Sequence, residues 1–250
     1  MPEEFTQEHL EQILREIALK LSKETKIYIF GGAVMVYKRI KPATKDIDIL
    51  FDSAKDYHQF MHAAKASGFV QTSVPLEYEP FYLSAMLNNY RTAWRLDLFL
   101  RKVCSKFEIN PAVKNRSSLF REIGLLKIYF IAVEDIILMK SLTQRDRDLD
   151  DIKVLLGYVP EFKSILQALE DQKDAYRREI LDRLLEFEER QNLKLSIPPQ
   201  MREEHERYNK DIFHQLLRKQ IKMLLKEGKS KEEIIQMYEL NEKEWEELNK

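Results

Sequence analysis

Apolar positions recur along this chain with two different periods, and the change from one to the other organises it. Leu10, Ile13, Leu14, Ile17 and Leu21 repeat at three and four residues, which predicts a first helix with one apolar stripe between charged faces. Lys26-Ile27-Tyr28-Ile29-Phe30 is a β-branched and aromatic run stopped by Gly31-Gly32, a strand entering a tight turn. Ala33 to Ile40 reads as a short helix ended by Pro42. Asp46 to Phe51 reads as the next strand, its acids at 46 and 48 alternating with Ile47 and Ile49.

Ser53 to Ser67 predicts a helix closed by Gly68, and Val70 to Val74 and Phe81 to Leu87 predict strands. An Asn88-Asn89 turn leads into a strand from Thr92 to Leu100. There Trp94, Leu96, Leu98 and Leu100 share one face, and Arg95 and Asp97 the other. Leu125 to Ala132 is a further strand, followed by helices over about Glu134 to Leu142 and Arg147 to Leu156. From Glu161 onward only helical periodicity appears, broken at Ser196-Ile197-Pro198-Pro199. A long helix carries Ile212, Leu216, Ile221 and Leu224 on one side and ends near Gly228. Two short helices follow, opened by the capping pairs Ser230/Glu233 and Asn241/Glu244. The fold class is therefore α/β (α+β): a small mixed sheet flanked by helices over residues 1–158, then a helical domain over 159–250.

Composition narrows the picture only a little. The chain has 250 residues, long enough for one large domain or two modest ones, and 44% hydrophobic content is ordinary for a globular protein. A third of the residues are charged, but the formal net charge is -1, so bulk electrostatics signal neither a nucleic-acid nor an acidic-membrane partner. Cys104 is the one cysteine, which excludes an internal disulfide, and it reads as a small buried hydrophobe. With no secretory signal and no apolar run of membrane-spanning length, a cytoplasmic location without membrane partners is expected.

The chemistry concentrates in the second strand. Asp46 and Asp48 project to one face, close enough to bridge a metal, and two adjacent like charges have no use in a purely structural sheet. Mg²⁺, or Mn²⁺ in its place, supplies the compensation, and a pair of such ions is the usual device for phosphoryl and nucleotidyl transfer. A third carboxylate on a neighbouring strand completes such a site, and Asp97 fits. Its bland alternative is a surface ion pair with Arg95. Gly31-Gly32, between a strand and a helix, lets backbone N–H groups approach a phosphate. Lys140 follows an apolar Ile-Ile-Leu-Met run, so its charge wants an anionic partner.

The segment IYIFGGAVMVYKRIKPATKDIDILF resembles the polymerase-β nucleotidyltransferase superfamily: apolar strand, Gly-Gly, helix, then acid-apolar-acid. The likeness is weaker at Asp97 and over Val133 to Leu156. Its GGAV start and DIDI end are also similar to tRNA CCA-adding enzymes, but Met35-Val36 stands where those carry Arg-Asp, which turns the reading away from CCA addition. VEDIILMKSLTQRDRDLDDIKVLL resembles the second signature of AbiEii-like minimal nucleotidyltransferases, several of which are toxins of toxin–antitoxin pairs. By that resemblance Lys140 contacts the nucleotide, and Arg145, Asp148 and Asp151 match the motif that follows, placing Arg145 with the nucleotide-binding residues. From composition alone, Arg145 to Asp151 reads as a solvated, salt-bridged helix start.

These features imply an enzyme that moves an NMP from an NTP to an acceptor hydroxyl. Asp46, Asp48 and Asp97 would be metal ligands and catalytic groups; Gly31, Gly32, Lys140 and Arg145 would hold the nucleotide. Two rivals remain: a degenerate nucleotidyltransferase fold serving as a scaffold, and an Asp-x-Asp glycosyltransferase. The acceptor, expected to be RNA or protein, is not written in any motif. Of the C-terminal helices, the last is acidic, which favours a protein partner over a DNA groove.

Overall fold

The structure is a computed structural model that describes residues 6–248 except 93, 144 and 160, and only the backbone of 174 and 175. By contact the chain divides into two compact units, residues 1–196 and 197–250.

The first unit opens with α1 (Gln7–Ala18), whose stripe of Leu10, Ile13, Leu14 and Ile17 is buried, while Leu21 lies beyond the helix end. β1 (Thr25–Phe30) runs directly into α2 (Gly31–Tyr37), and β2 (Ile47–Phe51) follows. α3 (Ala54–Ala66) is capped by Ser53, whose hydroxyl accepts from the Asp56 N–H at 3.1 Å. β3 (Val70–Thr72), a 3₁₀ helix (Leu76–Phe81), β4 (Ala85–Asn89) and β5 (Trp94–Leu100) come next. Then come a small hairpin of β6 (Lys102–Val103) and β7 (Phe107–Glu108), α4 (Pro111–Arg116), β8 (Ser118–Ile123) and β9 (Leu126–Phe130). α5 (Val133–Ser141) packs against α6 (Asp146–Leu156), α7 (Phe162–Glu170) and α8 (Asp174–Gln191).

Among the described residues, seven strands form one mixed sheet in the order β3-β4-β5-β2-β1-β9-β8. β1 pairs antiparallel with β2 and parallel with β9; β2 pairs parallel with β5, and β5 antiparallel with β4. The central strands β1, β2 and β5 read as apolar runs because helices and neighbouring strands cover them; Ile27, Ile29, Ile47, Ile49, Leu96 and Leu98 are all fully buried. The mixed α/β architecture expected from the hydrophobic pattern is the one found.

Three local expectations are corrected. The strand expected over Phe81 to Leu87 begins only at Ala85, because Leu76 to Phe81 coils into the 3₁₀ helix and Tyr82 takes a left-handed backbone with φ 54°. Asn88 and Asn89, expected as a turn, continue β4: Asn88 pairs with Val70, and its amide donates to the Thr72 hydroxyl at 2.8 Å. The turn moves on to Tyr90–Thr92, where the Asn89 side chain accepts from the Arg91 N–H. The strand expected from Thr92 starts at Trp94; Ala93 lies outside the described residues. β8 gave no periodic signal because it is an exposed edge strand with a register shift between Leu119 and Arg121.

The second unit contains α9 (Pro199–Lys226), α10 (Lys231–Tyr238) and α11 (Glu242–Leu248) around Leu217, Ile221, Ile234, Trp245 and Leu248. Both capping pairs form: Ser230 with Glu233, and Asn241 with Glu244, each bonding the other's backbone N–H. The division by contact falls after Ser196, whereas 158/159 was expected. α7 and α8 lie within the first unit because both pack on α5. No helix among the described residues is long and apolar enough to cross a membrane.

Candidate functional site

The site is assembled by strand register. β1 ends at Phe30, which pairs with Asp48 of β2, so the Gly31 turn arrives directly over that carboxylate. Gly31 has φ +65°, and a Cβ there would lie 2.4 Å from Asp48 Oδ2; a Cβ on Gly32 would lie 2.4 Å from Thr44 Oγ1. A Cβ at either position would push the neighbouring side chain aside, and Gly31 is favoured by its left-handed backbone as well. The parallel pairing of β2 with β5 then sets Asp48 opposite Asp97. Asp46 stands one residue ahead of β2.

Arg95, two residues before Asp97 on the same face of β5, reaches into this group. Its Nη2 donates to Asp97 Oδ2 at 3.1 Å and to Asp46 Oδ2, and its Nη1 donates to the Tyr78 hydroxyl at 3.1 Å. The guanidinium also lies over the Tyr78 ring, 4.8 Å from its centre. The ion pair considered as the alternative for Asp97 is thus present, but it is no surface pair: Asp97 is 2% exposed and the contact extends to Asp46.

The electrostatics are those of an under-compensated acid cluster. Burial raises the Asp97 carboxyl to about 7; Arg95 opposes this and Asp46 adds to it. Burial, then Asp46 and Asp97, push Asp48 well above the carboxylate range, against Lys140 and Arg145. Arg95 is raised although burial opposes its charge, because Asp97 and Asp46 outweigh that cost.

A cleft of about 240 Å³ opens on these residues. Five carboxylates and six bases line it, the bases coming mostly from the α2–β2 loop and the start of α6. Lys140 and Arg145 are both there, but their charges are engaged. Lys140 Nζ donates to Asp148 Oδ1 at 2.8 Å and to Asp151 Oδ2 at 2.7 Å. Asp148 Oδ2 also accepts from the Thr143 hydroxyl at 2.6 Å and from Arg145 Nε at 2.7 Å. Lys41 pairs with Asp151, and Arg145 stacks over Phe81 at 4.3 Å. Burial would raise Asp148, but Lys140 and Arg145 overcome it and bring the carboxyl down to about 2. The segment expected from composition to be a solvated helix start is salt-bridged as expected, yet Asp148 and Asp151 are buried.

The structure therefore brings together every residue singled out in the sequence: Gly32, Asp46, Asp48, Asp97, Lys140 and Arg145 line the cleft, and Gly31 abuts Asp48. It adds residues the sequence did not point to. Lys45 and Arg147 line the cleft, are exposed, and make no ion pair among the described residues. Lys45 had a signal of its own, its place beside Asp46. Tyr78 and Phe81 had none, because only the 3₁₀ helix carries them to the cleft.

The donor set suits a hard divalent cation in chemistry: carboxylates alone, with Asp97 Oδ1 buried and without a hydrogen-bond partner. As the side chains stand, no three His, Cys, Asp or Glu groups among the described residues converge on a metal position, because Arg95 lies between Asp46 and Asp97. Cys104 takes no part; burial pushes its thiol up to about 12.

Residues 8–176 match the family described as a nucleotidyltransferase of unknown function (DUF6036). The chain belongs to that family. No curated protein matches the sequence. The matched span contains all the cleft residues of this nucleotidyltransferase family member from Gly31 to Asp151, and it ends inside α8.

Proposed function

We propose that this protein transfers an NMP from an NTP to an acceptor hydroxyl with Mg²⁺, or Mn²⁺, as cofactor. The observation that carries the reading is the register that sets Asp48 opposite Asp97 and against the Gly31-Gly32 turn, with Asp46 one residue ahead of the same strand. Asp46, Asp48 and Asp97 would hold the metal, which supplies charge neutralisation at the attacked phosphate and the leaving oxygen. Asp97, through its unpartnered Oδ1, accepts the proton of the acceptor hydroxyl. The acceptor oxygen bonds to the α-phosphorus as the bond to the bridging oxygen breaks, and pyrophosphate leaves. The Gly31-Gly32 backbone, with Lys45 and Arg147 at the cleft edge, binds the leaving phosphates. Lys140 and Arg145, assigned to the nucleotide by resemblance, act through Asp148 and Asp151 by fixing the wall of the cleft.

Incubation with each α-labelled NTP, Mg²⁺ and a cell lysate tests this: label should enter RNA, protein or a small molecule, and Asp46→Ala with Asp48→Ala should abolish it. Undiminished transfer by that variant would overturn the reading. Toxicity on expression, relieved by the same two substitutions, would extend the reading to the toxin role suggested by the likeness to AbiEii-like proteins.

A second reading rests on Arg95. Its bridge between Asp46 and Asp97 is what a degenerate site would hold in place of a metal, leaving a scaffold. A scaffold shows no NTP binding with Mg²⁺ by calorimetry.

A further inference from the structure

Arg95 bonds two acids of the cluster, Asp46 and Asp97, and is also held from outside it by Tyr78. Its partners there are incomplete on both sides: Arg95 Nε and Asp97 Oδ1 are both buried without a hydrogen-bond partner. A purely structural buried ion pair satisfies its donors and acceptors, as Lys140 does with Asp148 and Asp151 nearby. The Arg95 arrangement does not. One positive charge faces Asp46 and Asp97, while Asp48 receives no hydrogen bond among the described residues and stands against the Gly31 turn. A second set of contacts, the hydroxyl and ring face of Tyr78, holds the guanidinium from the side of the 3₁₀ helix.

We propose that Arg95 is a displaceable internal counter-cation, standing between Asp46 and Asp97 in the position a divalent ion takes and retained by Tyr78 when the ion enters. The inference rests on the metal-dependent reading of the same site. The Arg95 charge offsets the repulsion of the close carboxylates, at the cost of metal affinity. Two cations cannot occupy the space between Asp46 and Asp97 together, because their repulsion is strongest where burial weakens screening. The site then loads only when the metal outcompetes the guanidinium.

The test compares Mn²⁺ binding by calorimetry to wild type and Arg95→Met, without nucleotide. Removing the competing charge should tighten Mn²⁺ binding about tenfold or more. It should also lower the melting temperature of the metal-free variant and enlarge the shift on adding Mn²⁺. Equal or weaker binding by a folded Arg95→Met overturns the proposal and leaves the metal-dependent reading standing. Failure of both folded proteins to bind Mn²⁺ overturns the metal-dependent reading itself, and this proposal with it. Should Arg95→Met not fold, the wild-type protein decides by nitrogen-detected NMR of the Arg95 Nε–H, assigned by its loss in Arg95→Lys. Saturating Mg²⁺ should shift that resonance and speed its exchange with water; a resonance unmoved at saturation refutes displacement.

Discussion

Replacing Lys140 with Met would separate a structural role from a nucleotide-contacting one. The ammonium is buried and bonded to Asp148 and Asp151, so the substitution leaves two buried carboxylates, Asp148 held otherwise by Thr143 and Arg145 and Asp151 by Lys41. Breaking a buried pair from one side costs about 3–5 kcal/mol. Part of that cost is readable as pH dependence. Asp148, lowered from an ordinary 3.8 to about 2, contributes about 2 kcal/mol at neutral pH. The folded value is the lower one, so this stability is fully present above about pH 4 and is lost as pH falls through 3.8 toward 2. Lys140→Met takes away the larger of the two charges that lower Asp148. The gap between wild type and variant should therefore be widest near pH 7 and narrow steadily below pH 4. For a unit of this size a 3–5 kcal/mol loss lowers the melting temperature by about 10 °C. Urea unfolding of both proteins between pH 7 and pH 3, without nucleotide, measures it. A variant within about 1 kcal/mol of wild type, or a gap independent of pH, would refute the structural role and return Lys140 to the nucleotide.

Further predictions address other parts of the molecule. Gly31→Ala forces a Cβ into Asp48 Oδ2 at a positive φ; it should cost about 1–2 kcal/mol from the backbone alone and weaken Mn²⁺ binding, measured by thermal melting and calorimetry. Gly124→Ala is the control, since it shares the positive φ but its Cβ meets nothing within 4 Å, so it should lose stability without touching metal affinity. Cys104 should resist a thiol reagent at pH 8 in the folded protein and react only on unfolding, because burial holds its thiol near 12. Trp245→Ala should destabilise the unit of α9 to α11 by about 3–5 kcal/mol, seen as loss of hydrogen-exchange protection at Ile221 and Ile234.

The sequence by itself determined the parts of this protein that depend on local period. The Gly31-Gly32 turn, the alternation of Asp46 and Asp48 with Ile47 and Ile49, and Asp97 opposite the Trp94–Leu100 apolar face are visible because a strand turns over every second residue. Helix caps at Ser230 and Asn241 are visible for the same reason: their partners lie three residues away. Tertiary structure alone decided what those groups face. Arg95 meets Asp46 across forty-nine residues of sequence, and Lys41 meets Asp151 across more than a hundred, through strand register and the packing of α5 and α6. The 3₁₀ helix brings Tyr78 and Phe81 to the cleft although no period in Leu76 to Phe81 announces it. The same distinction separates the acids from their charge state. Two carboxylates on one strand are legible in any sequence, but whether a metal, an arginine or a proton balances them depends on which distant side chain burial places beside them.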